Sequence, residues 1–279
     1  MKVVLMRVDE EVIVQIKQTA DELDLLEYTI EKDFYLTHVI GILSQVADEN
    51  FKLIFQGGTC LEKAHGVVAR MSEDCDFRMA YQSSAMRFSK EKQRKLLRQF
   101  RKQIVAQLQA SGFTIEAESI RVRNEGQFMA IPIQYPALFP GDEALKPYLA
   151  LEFFLNDVKT ATVEKPVTSL IQTSLGEQVG HPTYKVNAMS VVETAAEKWV
   201  ALTRRIATIA HREHYRDTSL VRHLYDLYQI EARGLFTEQF SLLVADIIEE
   251  DKQHYKNHNS DYQQNPVSEI KRAINELQT

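Results

Sequence analysis

The stretch from Phe55 to Met79, FQGGTCLEKAHGVVARMSEDCDFRM, constrains the fold of this chain more than any other. Lys52 to Phe55 reads as a strand. Gly57-Gly58 then permits a tight turn and the close backbone approach that a phosphate group needs. Thr59 falls at or near a helix N-terminus, where unpaired N–H groups and the helix dipole favour an anion. Downstream, Asp74 to Met79 alternates as a strand does. Asp74, Asp76 and Arg78 share one face, and Cys75, Phe77 and Met79 share the other, which is apolar and predicted to meet the core. Two carboxylates on one strand face repel each other unless a cation lies between them. Mg²⁺ suits that position, because it takes hard oxygen ligands from one or two carboxylates plus substrate phosphates. Two acids and an arginine at a solvent-facing strand end are the competing reading. The Gly-Gly turn at this spacing favours a metal–nucleotide site, with Gly57, Gly58 and Thr59 at the phosphates and Asp74 and Asp76 on the metal.

These residues, with others in order along the chain, resemble the AbiEii/AbiGii-type nucleotidyltransferase toxins of bacterial type IV toxin–antitoxin and phage-defence systems. The resemblance is carried by Gly57-Gly58-Thr59 with Leu61 and Lys63, and by Arg70-x-Ser72-Glu73-Asp74-x-Asp76-Phe77. Upstream it includes Glu31-Lys32-Asp33 with Tyr35-Leu36. Downstream it includes Ala196-Glu197-Lys198-x-x-Ala201-Leu202 and Leu224-Tyr225-Asp226-Leu227-Tyr228. It implies an NTP substrate, a toxin role restrained by a cognate antitoxin, and an RNA acceptor such as a tRNA 3′ end. It also implies that Lys198 contacts nucleotide phosphates and that Asp226 faces the cleft and supports catalysis. The chain departs from the family at Arg222-His223, where Arg-Asp is expected. That puts an acid role at position 223 in doubt, but not at Asp226.

With 279 residues and few glycines and prolines, the chain can bury one large core or two modest ones. The predicted class is α+β: a nucleotidyltransferase-like mixed sheet flanked by helices, followed by a C-terminal helical bundle. Residues 10–48 read as helical. Strands are expected at 51–56, 74–80, 113–117, 119–123, 128–135 and 148–155, with Asn124-Glu-Gly126 as a hairpin turn. From Ser190 on the pattern is helical, and Ser190 with Glu193 forms a capping-box start. The expected domains are 1–165, catalytic, and 166–279, mainly helical and completing the cleft. No apolar run approaches the roughly 18 residues that cross a membrane. The acid-rich N-terminus is no signal peptide. Cys60 and Cys75 are expected to be reduced and structural, and the protein cytoplasmic.

A net charge of −6 argues against general nucleic-acid affinity. Within it, residues 90–102 (KEKQRKLLRQFRK) carry seven cations against the single acid Glu91. Leu97, Phe100, Ile104 and Leu108 supply a buried stripe. The outward cations make either a solvated helix face or a contact for RNA phosphates.

Glu152, alone among apolar residues in LALEFFL, is costly to bury unless paired or metal-bound. It is the candidate for a general base or a second-metal ligand. From its sequence context alone, Lys198 reads equally as a surface lysine in helical salt bridges. Arg70 and Ser72 either touch phosphate or shape the loop before the aspartates. Lys63 either contacts the nucleotide or packs as an ordinary lysine. Lys32 and Asp33 are read as a structural pair. His211 and His214 lack a third ligand and do not argue for a metal. The expected enzyme is a Mg²⁺-dependent nucleotidyltransferase. The alternatives are transfer to a protein or small molecule, and an NTP-binding regulator without turnover.

Overall fold

The computed structural model describes residues 8–71, 74–82, 88–141, 146–209, 220–254 and 260–276. The chain divides into two compact units, Met1–Met189 and Ser190–Thr279. In the first, helices α1 (Glu10–Leu23) and α2 (Glu27–Ser44) precede strand β1 (Phe51–Gln56), helix α3 (Gly57–Lys63) and strand β2 (Asp74–Tyr81). The long helix α4 (Lys90–Ala110) leads to β3 (Arg121–Arg123), β4 (Phe128–Ile133) and β5 (Leu149–Leu155). Strand β6 (Val163–Val167), helix α5 (Leu170–Leu175) and strand β7 (Tyr184–Ala188) complete the unit.

The seven strands form one mixed sheet in the order β3-β4-β5-β2-β1-β7-β6. Pairing is parallel at β1/β7 and β2/β5 and antiparallel elsewhere. Alternation decides which face is core. Phe51, Leu53 and Phe55 join Cys75, Phe77, Met79, Leu151 and Phe153 in one cluster with the apolar sides of α1, α2, α4 and α5. The stripe Leu97, Phe100, Ile104 and Leu108 is buried as its spacing predicts, and Phe100 stacks on Phe51 with ring centroids 5.0 Å apart. The thiols of Cys60 and Cys75 are free and buried on this side, and burial pushes both well above the usual thiol range.

The predicted mixed sheet with flanking helices is what the chain forms, but its extent differs from the sequence reading. Residues 10–48 are two helices, broken where Asp24 turns left-handed at φ 52°. Residues 113–117 contribute only the bridge Thr114↔Gln134, and Ala117–Ser119 is a 3-10 turn. Residues 163–188, mostly assigned to the second domain from sequence, belong to the sheet. In β7, Tyr184, Val186 and Ala188 alternate inward and pair beside β1. In β6, two charges and Pro166 mark an edge strand. The break therefore falls after Met189 rather than near 165.

Helix α2 is buried on all sides from Thr29 to Leu43, which is why its apolar pattern is irregular. It carries the consecutive charges Glu31, Lys32 and Asp33, each no more than 2% exposed. Successive helical residues point about 100° apart, so each one reaches a different segment. Glu31 accepts from the backbone N–H groups of Leu138 (2.8 Å) and Phe139 (3.2 Å). Lys32 donates to the carbonyl of Lys146 at 2.7 Å. Asp33 accepts from the N–H of Leu170 at 2.7 Å and ion-pairs with Lys63 of α3. Lys32 and Asp33 thus anchor separate segments, whereas the sequence reading pairs them with each other.

The second unit is helical: α6 (Val191–Ile209), α7 (Leu220–Ala232), α8 (Gln239–His254), α9 (Ser260–Gln264) and α10 (Pro266–Glu276). Helix α6 is central and packs on α7, α8 and α10, around Val192, Ala196, Val200, Leu243, Ile247 and Ile270. No described helix is long and apolar enough to cross a membrane.

The Asp33–Lys63 pair is a buried ion pair, so removing one partner is costly. Asp33→Ala leaves an ammonium buried without its partner, so unfolding free energy is expected to fall by about 3–5 kcal/mol. Asp33→Asn, which retains an acceptor for Leu170, should cost less. Urea-denaturation midpoints check both.

Candidate active site

Gln56 ends β1 in extended conformation and caps α3, and Gly57 opens the helix at φ +80°. A Cβ at position 57 would collide with the carboxylate of Asp76. The glycine is therefore required twice, by its conformation and by the approach of its backbone to that carboxylate. Gly58 is buried in the first turn of α3. Thr59 is fully buried, and its hydroxyl donates to the carbonyl of Asp74 at 2.5 Å, tying the helix to the strand that carries the aspartates.

The sheet register assembles the acids. Asp76 stands opposite Gln56 of β1 on one side and Glu152 of β5 on the other. Ala130 of β4 and Arg121 of β3 continue the same row. Register partners in a sheet point to the same face. Asp74, Asp76 and Glu152 thus share the face opposite the helical core. Further along, that face is closed by Ile54, Ala80, Met189 and Val158, and by Arg78 donating to the carbonyl of Asp157 at 3.0 Å. It stays accessible around Asp74, whose side chain is 34% exposed.

Burial first, and the charge of Asp74 second, raise the pKa of Glu152 above its ordinary 4.5, while Lys146 and Arg123 pull it back. Like charges held together in this way favour a cation, and Lys146 supplies one: its Nζ lies 2.6 Å from Asp74 Oδ1. A pair this exposed is worth about 0–1 kcal/mol, so a stronger cation can displace it at little cost. Among the described residues, no group of three His, Cys, Asp or Glu side chains is arranged to hold a metal unaided. The donor set nonetheless fits Mg²⁺, which uses few carboxylates and completes its shell with water and phosphate oxygens.

The other predicted site residues are placed as follows. Lys63 turns to the core side, where its ammonium pairs with Asp33 and donates to the Thr168 carbonyl at 3.2 Å; its side chain is 4% exposed. Its nearest anion is thus a protein carboxylate, the placement of the packed lysine rather than of the nucleotide contact, the two readings that the sequence left open. Arg70 is half-buried on the segment leading to β2. Ser72 lies outside the described residues, as do His211 and His214. Lys198 of α6 and Asp226 of α7 form a buried ion pair at 2.8 Å, with side chains 10% and 0% exposed. The apolar tract around Asp226 therefore does bury it. Two neighbours of the carboxylates went unnoticed in the sequence. Lys146 sits in a connection with no periodic signal. Gln56 is 7% exposed, and its amide oxygen has no hydrogen-bond partner among the described residues. Its place at the end of a strand, beside the glycine turn, was the available clue.

A profile of the AbiEii nucleotidyl transferase toxins of type IV toxin–antitoxin systems matches residues 42–278. Comparison with curated proteins returns no match. Among solved structures, the chain is similar to the nucleotidyltransferase toxin MenT4 of Mycobacterium tuberculosis. Identity is 18%, over 81% of this chain and 74% of that one, with a TM-score of 0.45. By the profile match, the chain belongs to the AbiEii nucleotidyltransferase toxin family and is a nucleotidyltransferase.

Gly57→Ala displaces the Asp76 carboxylate, and transfer activity is expected to fall by about 100-fold, the usual effect of misplacing a reacting group by an ångström. Circular dichroism should show the fold retained. Glu152→Gln tests the raised pKa. Between pH 4.5 and the raised value, the native state holds more protons at Glu152 than the unfolded chain does, so this group makes stability fall as pH rises. Glu152→Gln removes that loss. Its melting temperature at pH 7 should equal or exceed that of the wild type while its activity drops.

Proposed function

We propose that this nucleotidyltransferase transfers a nucleotidyl group from an NTP to an RNA acceptor such as a tRNA 3′ end, and that a cognate antitoxin restrains it. The observation that carries the reading is Asp76 in register with Glu152, with the Gly57 backbone against the Asp76 carboxylate. That arrangement gathers acid groups and an open backbone turn on one accessible face, where a triphosphate and an attacking hydroxyl can meet. Asp74 and Asp76 are the residues that would hold Mg²⁺. When bound, it supplies Lewis-acid neutralisation of triphosphate oxygens.

The chain's own groups do the rest. The glycine turn at 57–58 admits the phosphates close to the backbone. Glu152 takes the proton of the acceptor hydroxyl as its oxygen bonds to the α-phosphorus and the bond to pyrophosphate breaks. The elevated pKa of Glu152 makes it a stronger base than an ordinary carboxylate. Lys146, already at Asp74, brings positive charge to the edge where phosphates gather. Lys198 and Asp226 are assigned to transfer through the family resemblance, and their buried pairing supports a positioned lysine rather than a surface one. The RNA acceptor is supported by helix α4, whose Lys90, Lys92, Arg94, Lys95, Arg98 and Lys102 are all exposed.

The test is incubation with Mg²⁺, each α-labelled NTP in turn and total bacterial RNA. Label should enter a tRNA-sized band, and Asp76→Asn should abolish it. Lys198→Ala should reduce it by about 100-fold or more, the scale set by loss of one transition-state contact. Label that enters protein or a small molecule, and no RNA, would refute the RNA acceptor.

A further inference from the structure

Helix α4 and the β3–β4 turn enclose a concavity of about 410 Å³ whose lining includes Arg94, Arg98, Arg101 and Arg123, with Glu125 as its acid. Arg94 spends its charge on Glu125 at 2.5 Å, leaving the other three guanidinium groups in excess. Neither Arg98 nor Arg101 forms an ion pair among the described residues, and one Arg101 nitrogen is buried without any hydrogen-bond partner. Burial first, and the like charge of Arg98 second, lower the pKa of Arg101. A cation held this way is costly on its own and is relieved by an anion.

The backbone is shaped to the same end. Asn124, Glu125 and Gly126 have φ values of 50°, 54° and 95°. A Cβ at 126 would occupy the place of the Arg101 guanidinium. Positive φ at these positions is what the tight β3–β4 hairpin requires. Here the turn folds around an arginine instead of avoiding it.

The surroundings indicate which anion. The concavity opens at edge strand β3, where Arg123 stands opposite Phe128, and Phe128 opposite Phe154. Those two rings lie 5.0 Å apart on the carboxylate face, and Phe154 is 37% exposed, so an aromatic surface and Arg123 lie beside Glu152 on that face. Arg98 and Arg101, on the helix packed against the opposite face, lie beyond the β3 edge. From β3 to β2 is three strand spacings, about 14 Å. That separation suits a polymer that crosses the carboxylate face with bases on the rings and rounds the β3 edge, where a phosphate meets the arginines. Cations interleaved with aromatic rings are the standard means of holding a single strand.

We propose that the concavity bounded by Arg98, Arg101 and Arg123 is a phosphate site that holds one backbone phosphodiester of the RNA acceptor, a few nucleotides from the reacting end. This rests on the RNA-acceptor reading above. It turns the basic helix from a diffuse charged surface into a built site.

The test uses the full chain and a fluorescein-labelled single-stranded oligoribonucleotide, with affinity measured by anisotropy across a salt series. Arg98→Gln/Arg101→Met removes two guanidinium groups while keeping the apolar stem at 101. Lys95→Gln/Lys102→Gln removes the same charge from the same helix outside the concavity. The arginine variant is expected to bind about tenfold or more weakly. Its salt slope should fall by about 0.7, the value for losing one phosphate contact on a single strand. The lysine variant should change much less, and the arginine variant should melt no lower than the wild type, because a repulsion on the half-buried Arg101 has been removed. Equal weakening in both variants would reduce the effect to general charge and overturn the site. Unchanged affinity with a lower melting temperature would also overturn it, by making the cluster structural. Labelling of RNA by the wild type separates the two readings. If RNA is labelled and the arginine variant binds it normally, the site alone falls. If the wild type neither binds nor labels RNA, the acceptor reading falls and takes the site with it.

Discussion

Three consecutive charges on a helix with no solvent-facing side organise the catalytic unit. Glu31, Lys32 and Asp33 of α2 are each no more than 2% exposed. Burying them is tolerable only because each is hydrogen-bonded or ion-paired. The partners lie far apart in sequence: the backbone at 138–139 and 146, the start of α5 at Leu170, and Lys63 of α3. Through Lys63 the helix holds the element that begins with the glycine turn. Through Lys32 it holds the backbone of Lys146, whose side chain reaches Asp74. The accessible face of the sheet is thus positioned from the core behind it.

On that face the sheet register does what no single strand can. Asp74 and Asp76 share a strand, but Glu152 lies 76 residues beyond Asp76 and comes beside it only because β5 pairs parallel with β2. Parallel neighbours bring the carboxylates together, and the low polarity of the strand interior raises the basicity of the half-buried one. A bare glycine on the adjoining strand–helix turn leaves room for the Asp76 carboxylate and for whatever binds it. A site that gathers like charges stores repulsion. Lys146 and Arg123 offset part of it, which makes the protein around the acids as much a part of the chemistry as the acids themselves.

Much of this was legible in the residues. The alternation of Asp74-Cys75-Asp76-Phe77 assigned its two faces correctly, and the stripe Leu97, Phe100, Ile104 and Leu108 predicted the buried side of α4. The all-helical character from Ser190 on was equally plain. Short strands near 163–188 escaped notice because five residues carrying two charges and a proline, as in β6, do not read as sheet. The two readings of Lys63 stayed open for a different reason. A lysine one turn past a glycine pair looks like a phosphate ligand until its partner, 30 residues earlier on a buried helix, is known.

By itself, the sequence determined the local pieces: the glycine turn, the paired aspartates on one strand face, the amphipathic basic helix and the order of sheet before helices. Each follows from backbone sterics and from apolar periodicity, which act over a few residues. Tertiary structure alone decided which charges meet. It set Glu152 beside Asp76, gave Lys63 to Asp33 and Lys146 to Asp74, and closed Arg101 against Gly126. Ion pairing and desolvation depend on distance through space, and neither leaves a periodic trace along the chain.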